Sequence, residues 1–440
     1  MTLSTRFWAD HRHLLALAFP MILANITTPL LGMVDTAVLG HMETSSIVAG
    51  SAIGALILTQ TYWVCGFLRM STTGLSAQAK GQNDSSGVAC ASVFYRSTLL
   101  ALVIGAFIVI CGPFLLQGGL YLASASGELE RHAQSYFFVR VWGAPAAMLN
   151  MALIGYLVGQ QRTRAVLVIQ VIGNLLNAGL DVLFVYGLDL SVEGVALASV
   201  IAEYTMATLG ALLCLRSVLS VPFSKQWFTK AQIVSLLTMN TDMLVRNLAL
   251  QVCIAFLTFQ GARLGAEHAA VNAILMQFFV LIALGLDGVA YAVEALVGEA
   301  KGAKNNAGIT HQTKVGLIWS SLFAAAYAVV FYTSGEAIIR LLTDIPSLQN
   351  EAARYLWLIV LLPLIGHWCF LFDGIFVGLT QSRAMRDTML LSAAGVFFPI
   401  WWLTQSIGNL ALWYAMAGFL AARGLSLGFL FWRQYVKSAR

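Results

Sequence analysis

The chain has 440 residues, 59% of them hydrophobic and only 10% charged, with a mean hydropathy of +0.79 and a formal net charge of +5. That composition exceeds what one soluble core uses and places the chain among polytopic membrane proteins. The positive excess then reads as a topology signal and excludes a nucleic-acid patch as its explanation.

Apolar runs of about 20 residues, each long enough as a helix to cross a hydrocarbon core of ~30 Å, recur along the chain. Roughly twelve can be counted, centred near Asn25, Leu58, Ile104, Leu149, Leu176, Ala207, Cys253, Leu281, Ala324, Leu364, Ala394 and Phe419. Strict apolar/polar alternation over ten-residue stretches is missing, which argues against an outer-membrane barrel. The predicted fold is an all-α integral membrane protein of twelve transmembrane helices.

The first run begins at Leu14, contains Pro20 and Pro29, and carries Asp35 near its end. An ionisable group at membrane depth costs at least ~2.5 kcal/mol on insertion scales, so Asp35 either sits at the interface or has a function. The prolines remove backbone hydrogen bonds and make kinks cheap, either as hinges or as a static bend. After the second run comes "AQAKGQNDSSG", Ala77 to Gly87; after the fourth, which holds Arg140 and Pro145, comes "GYLVGQQRTR", Gly155 to Arg164. In the fifth run Asn174, Asn177 and Asp181 fall at i, i+3 and i+7 and share one helical face, and in the sixth Ser199 and Glu203 share another. The amides read as interhelical glue or as part of a polar site, and Asp181 either joins that site or pairs with Arg140 or Arg69.

"VPFSKQWFTKAQ", Val221 to Gln232, is the most plausible long connector, with Trp227 and Phe228 set between Lys225 and Lys230 as in an interfacial amphipathic stretch. The seventh run has no carboxylate in its apolar middle, where Leu250 and Gln251 stand. In the eighth, Asp287, Tyr291, Glu294 and Gly298 lie on one face; in the tenth stands Asp373. These acids are expected as substrate contacts or as internal partners of Arg246 and Arg423.

"GEAKGAKNNAG", Gly298 to Gly308, repeats the segment at Ala77 with a shift of 221 residues, and "GIFVGLTQSR", Gly374 to Arg383, resembles the one at Gly155. The chain therefore divides into a six-helix half at 1–220, a connector at 221–232 and a second half at 233–440. An even number of spans per half makes the repeats parallel, with a central cleft expected between them. Lys and Arg favour the even-numbered loops (Lys80, Arg162, Arg216, Lys301, Lys304, Arg383, Arg386), which places those loops and both termini in the cytoplasm. No cleavable signal peptide is expected. The six cysteines lie in or beside apolar runs and read as small buried hydrophobes, with no disulfide framework or metal site.

A phosphate-binding G-x-x-x-x-G-K-[ST] and an H-E-x-x-H are both absent, so neither a primary pump nor a metal-dependent intramembrane hydrolase is indicated, and no cofactor is implied. "PMILANITTPLLGMVDTAVLGH", "RMSTTGLSAQAKG", "GNLLNAGLDVLFVYGL" and "GVALASVIAEY" resemble the multidrug and toxic compound extrusion (MATE) family, in the wording of its DinF branch, and the resemblance spans essentially the whole chain. It implies a secondary transporter of the cytoplasmic membrane, not an enzyme, that exports amphipathic, mainly cationic drugs and toxins against an ion gradient by alternating access. It also implies proton coupling at Asp35, Asn174, Asn177, Asp181 and Ser199, with Pro20 and Pro29 as hinges and Asp287, Tyr291, Glu294 and Asp373 as a possible second polar site. The partners implied are protons, small molecules and the bilayer, with a monomer sufficient. Sodium-coupled relatives carry an acid in the seventh helix, and its absence here points to protons. Met33, Tyr62, Phe138, Phe278, Trp319 and Trp368 are candidate drug contacts among many aromatics. The competing reading is a flippase or an exporter of lipid-linked or anionic metabolites, which would require a cavity dominated by Arg and Lys.

The inside-outside assignment predicts that cysteines placed at Lys80, Lys304 and Arg386 react only with reagents reaching the cytoplasmic side. Cysteines at Glu43, Glu128 and Gly408 should react from outside, and an inverted pattern would reverse the assignment.

Overall fold

In a computed structural model, backbone is described for residues 3–40 and 45–437, and side chains for those residues except 3–7, 28, 30–37, 39, 40 and 45. The first helix, α1, is Leu3–Gly40. Eleven further helices are long and apolar enough to cross a membrane: α2 Ser46–Gly81, α3 Val88–Ala123, α4 Glu128–Gly159, α5 Thr163–Gly187, α6 Val192–Val218, α7 Lys230–Arg263, α8 Ala266–Gly302, α9 Asn306–Leu342, α10 Leu356–Gly378, α11 Ser382–Ile407 and α12 Leu410–Val436. With α1 they make the expected twelve, and no strand occurs among the described residues. The helix α1 runs unbroken past Pro20, which is buried, and Pro29, which is exposed.

Each half is organised around its fourth helix. The most apolar window of α4 is 72% buried and that of α10 is 61%, against at most 50% for any other span. In the first half α4 packs on α2, α3 and α6; in the second α10 packs on α8, α9 and α12. Glycines permit the closest of these approaches. A Cβ at Gly155 or Gly159 would lie 2.5 Å from the Arg69 carbonyl oxygen or 2.6 Å from that of Thr73; one at Gly374 would lie 2.6 Å from the Ala290 carbonyl oxygen, and one at Gly378 would strike that of Glu294. A G-x-x-x-G stripe on the central helix therefore lies directly on the backbone of its neighbour, the packing by which helices associate in lipid, where burial of apolar surface supplies no driving force.

The sequence repeat is also a backbone repeat. Asn83 and Lys304, 221 positions apart, both take positive φ, as do Gln161 and Thr380, 219 apart. Asp84 and Asn305, again 221 apart, both turn the chain into the next helix: Asp84 accepts from the Ser86 amide and hydroxyl at 3.0 and 2.7 Å, and Asn305 accepts from the Gly308 amide at 2.8 Å. The Ser86 hydroxyl, helped by its amide, holds the Asp84 carboxyl below the ordinary aspartate value.

The chain separates into two compact units, Leu23–Val234 and Ser235–Arg440 with Met1–Ile22. The second boundary falls beside the connector read from the sequence, but the expected first half, 1–220, does not keep its amino-terminal segment. Polar and apolar contacts explain the difference: Asp10 pairs with His311 at 2.8 Å, the Trp319 indole donates to His11 Nδ1 at 2.9 Å, and Gly288 faces the Ile22 side chain and the Ala18 carbonyl.

Because a side chain at either crossing meets backbone and not a movable side chain, Gly159→Val and Gly378→Val should each lower stability by about 1–3 kcal/mol. A lowered unfolding midpoint of the detergent-purified variants, with Gly118→Val as the control facing open space, measures this.

Candidate functional site

In the first half the face predicted on α5 is present. Asp181 is fully buried and Asn177 nearly so, and Asn177 Nδ2 donates to Asp181 Oδ2 at 3.0 Å. One turn toward the α4 end of the helix, Asn174 is half-buried, and its Nδ2 finds no partner among the described residues. Immediately beyond Val182 the helix widens into a π-turn, Leu183–Gly187, a departure from α geometry that recurs at functional sites.

On α6 Ser199 is buried, and one turn further Glu203 forms a bidentate ion pair with Arg140 of α4 at 2.5 and 2.8 Å. Asn150 donates to the Glu203 backbone carbonyl at 3.0 Å, and the guanidinium lies over the Tyr62 ring of α2 at 5.6 Å. Gly143 makes room, since a Cβ there would meet Glu203 Oε2 and lie 2.7 Å from Arg140 Nη1. Arg140, one candidate partner for Asp181 in the sequence, is thus occupied by Glu203.

An apolar cluster lies one turn from these groups on every helix involved. Val38 of α1, Tyr136 of α4, Val185 of α5, and Val192, Val195 and Ala196 of α6 are buried together, with Ile47, Val48 and Ala55 of α2 and Val139 of α4 against them. Asp35 stands three positions before Val38 on α1; its side chain lies outside the described residues.

In the second half Asp373 of α10 is an internal partner, as one of the two expectations had it. Its Oδ2 accepts from Arg246 of α7 at 2.5 Å and from Arg423 of α12, while Arg246 also donates to Asn247 Oδ1 at 2.8 Å and Arg423 lies 5.3 Å over the Phe419 ring. On α8 Glu294 is buried, with Asp287 and Tyr291 partly so. Sequence reasoning missed the relation between the two ion pairs: α4–α6 and α10–α12 are equivalent helix pairs, but the first carries Arg140–Glu203 and the second Asp373–Arg423, with the charges exchanged. It also missed a buried amide network in which Asn272 and Asn409 exchange hydrogen bonds at 2.7 and 2.8 Å, with the Trp413 indole donating to Asn272 at 2.8 Å. Of the candidate drug contacts, Phe278 is fully buried, Trp319 is taken by His11, Tyr62 lies under Arg140, and Phe138 and Trp368 remain exposed; Met33 lies outside the described residues. No group of three His, Cys, Asp or Glu able to hold a metal occurs among the described residues.

Comparison with known proteins follows this geometry. The model of the MatE family matches residues 20–183 and 243–403. The chain is 41% identical to the DNA damage-inducible protein F of Escherichia coli K12 over 95% of its own length and 91% of that protein's, and 24% identical to the probable multidrug resistance protein NorM of Photorhabdus laumondii over 93% and 92%. Among solved structures, crystal structures of MATE in the bent and in the straight conformation superpose with TM-scores of 0.86 and 0.85 at 17% identity, covering 98% of this chain and 97% and 96% of theirs, and so share its fold.

Removing one partner of a buried ion pair leaves the other charge uncompensated, at a cost of about 3–5 kcal/mol. Glu203→Gln and Arg140→Met should therefore each depress the unfolding midpoint strongly, and the double variant should recover most of the loss.

Proposed function

The chain belongs to the MatE family and, within it, to the DinF branch, and from that premise we propose that it is a proton-coupled multidrug antiporter that exports amphipathic, mainly cationic compounds by alternating access. The transporter character of the family excludes no chemistry by itself; it makes a polar site inside an apolar bundle the place to look for coupling. The observation that carries the proposal is the buried Asn177–Asp181 pair on α5, set one turn from the cluster that holds Val38 beside Val185. An amide partner suits a titrating carboxyl because it can donate to the ionised form and also accept from the protonated one, which a guanidinium cannot. Asp35, on the same helix as Val38, is the proposed principal proton carrier, with Asp181 second and Asn174, Asn177 and Ser199 around them.

The second half supports protons over sodium. Asp373 already has its charge balanced by two guanidiniums, and α7 offers no carboxylate in its apolar middle. The first-half polar groups also favour cations over the anionic-metabolite alternative, because Arg140, which lies among them, is neutralised by Glu203. Pro20 and Pro29 are the proposed hinges of α1, which passes from one compact unit to the other between Ile22 and Leu23; MATE relatives are described in bent and straight conformations, and the same alternation is proposed here. The proposed setting is the cytoplasmic membrane of a monomer with both termini inside, Asp287, Tyr291, Glu294 and Asp373 forming a polar site of the second half.

One proton exchanged for one monovalent cation moves no net charge, so it draws only on the pH gradient, ~1.4 kcal/mol per unit or roughly tenfold accumulation. A second proton would add the membrane potential, ~2.3 kcal/mol per 100 mV. Efflux from energised vesicles should survive removal of sodium and collapse with a protonophore. Asp35→Asn should insert normally, abolish drug resistance and abolish drug-induced proton release from the purified protein, with Asp35→Glu partly active. Export by Asp35→Asn at the parental rate would make Asp35 a bystander.

A further inference from the structure

The buried core of the first half's apolar cluster has a consistent position relative to the polar groups on α1, α4, α5 and α6. On α4, Tyr136 precedes Arg140 by four residues; on α5, Val185 follows Asp181 by four; on α6, Val195 and Ala196 precede Ser199 by four and three. On α1, Val38 follows Asp35 by three. The chain directions of these helices alternate, so each of these offsets points to the same end of the bundle, the end bearing the connections at residues 124–127 and 188–191. The apolar residues thus form one layer and the polar residues another, separated by about one helical turn, ~5.4 Å. Its aliphatic members, Val38, Val185, Val192, Val195 and Ala196, are each at most 8% exposed and offer no side-chain hydrogen-bonding atom, and Tyr136 alone among the six buried residues carries a polar atom, its phenolic hydroxyl.

We propose that this layer is a hydrophobic gate, with Val185 and Val195 at its middle, which bars protons from the outer end of the first half while leaving the polar layer to be filled from elsewhere. A constriction lined mainly by aliphatic side chains resists wetting, and without a continuous water chain a proton has no path across it. The gate rests on the proposal that Asp35 and Asp181 carry the protons, and it gives that proposal its direction: without it an antiporter would short-circuit the gradient that drives it. Glycine at 194 supports the placement, since a Cβ there would lie 2.9 Å from Leu190 Cβ and 3.2 Å from Phe184 Cβ, holding the α5–α6 connection tight against the layer.

Purified protein reconstituted into liposomes with a trapped pH-sensitive dye and an imposed pH gradient tests the gate without any drug present. Val185→Thr/Val195→Thr preserves side-chain shape but adds two hydroxyls; it should dissipate the gradient at least several-fold faster than the parent, whereas Val195→Ile, which keeps the layer apolar, should hold it. Adding Asp35→Asn to the threonine pair separates the two proposals: a leak that disappears shows protons passing through Asp35, and one that persists keeps the gate but removes Asp35 as carrier. A threonine pair that is monodisperse, has the parental unfolding midpoint and holds the gradient like the parent would overturn the gate.

Discussion

Two close backbone crossings support everything else in this protein. Gly155 and Gly159 lay α4 on the carbonyls of α2, and Gly374 and Gly378 lay α10 on those of α8, through donors and acceptors that are already satisfied within their own helices. In lipid the hydrophobic effect does not drive such contacts, so proximity and dispersion must, and only small residues permit the proximity. Fixing α4 and α10 at the centre of their halves decides which helices can meet them, and α6 and α12 are among those that do.

That arrangement determines where charge can be buried. At equivalent helix pairs the protein places Arg140 against Glu203 and Asp373 against Arg423, each charge taken from water but matched at hydrogen-bond range. The two pairs do not occupy matching positions: with the 219-residue shift of Gln161 and Thr380, Arg140 corresponds to Ile359 and Asp373 to Ile154. The first half also buries the Asn177–Asp181 pair, one turn from the valines of its apolar cluster. The second half instead binds its acid with two cations.

The helix α1 contributes to both compact units. Its first 22 residues are fastened to the second unit by His11, Asp10 and Ile22, while Val38 belongs to the core of the first. Pro29 lies between Ile22 and Val38, so the stretch of α1 that joins the two units carries a point where bending is cheap.

Hydropathy alone determined that the chain is a helical membrane protein, because a span of about 20 apolar residues has few other solutions in lipid, and the repeats at Ala77 and Gly298 determined its two halves, later matched by paired positive-φ residues. The face of α5 was equally legible, since i, i+3 and i+7 fall together on any helix. What the sequence could not decide was partnership. Several acids and arginines recur along the apolar runs, and spacing within a helix says nothing about which helix stands opposite, so Asp181 was left between a polar site and Arg140 or Arg69, and Asp373 between substrate and arginine. Nor could it place the first 22 residues, whose contacts with His311, Trp319 and Gly288 span about three hundred positions of sequence. Tertiary packing settled these points, because the cost of an unmatched buried charge depends on what lies within about 4 Å of it, and only the folded chain sets that distance.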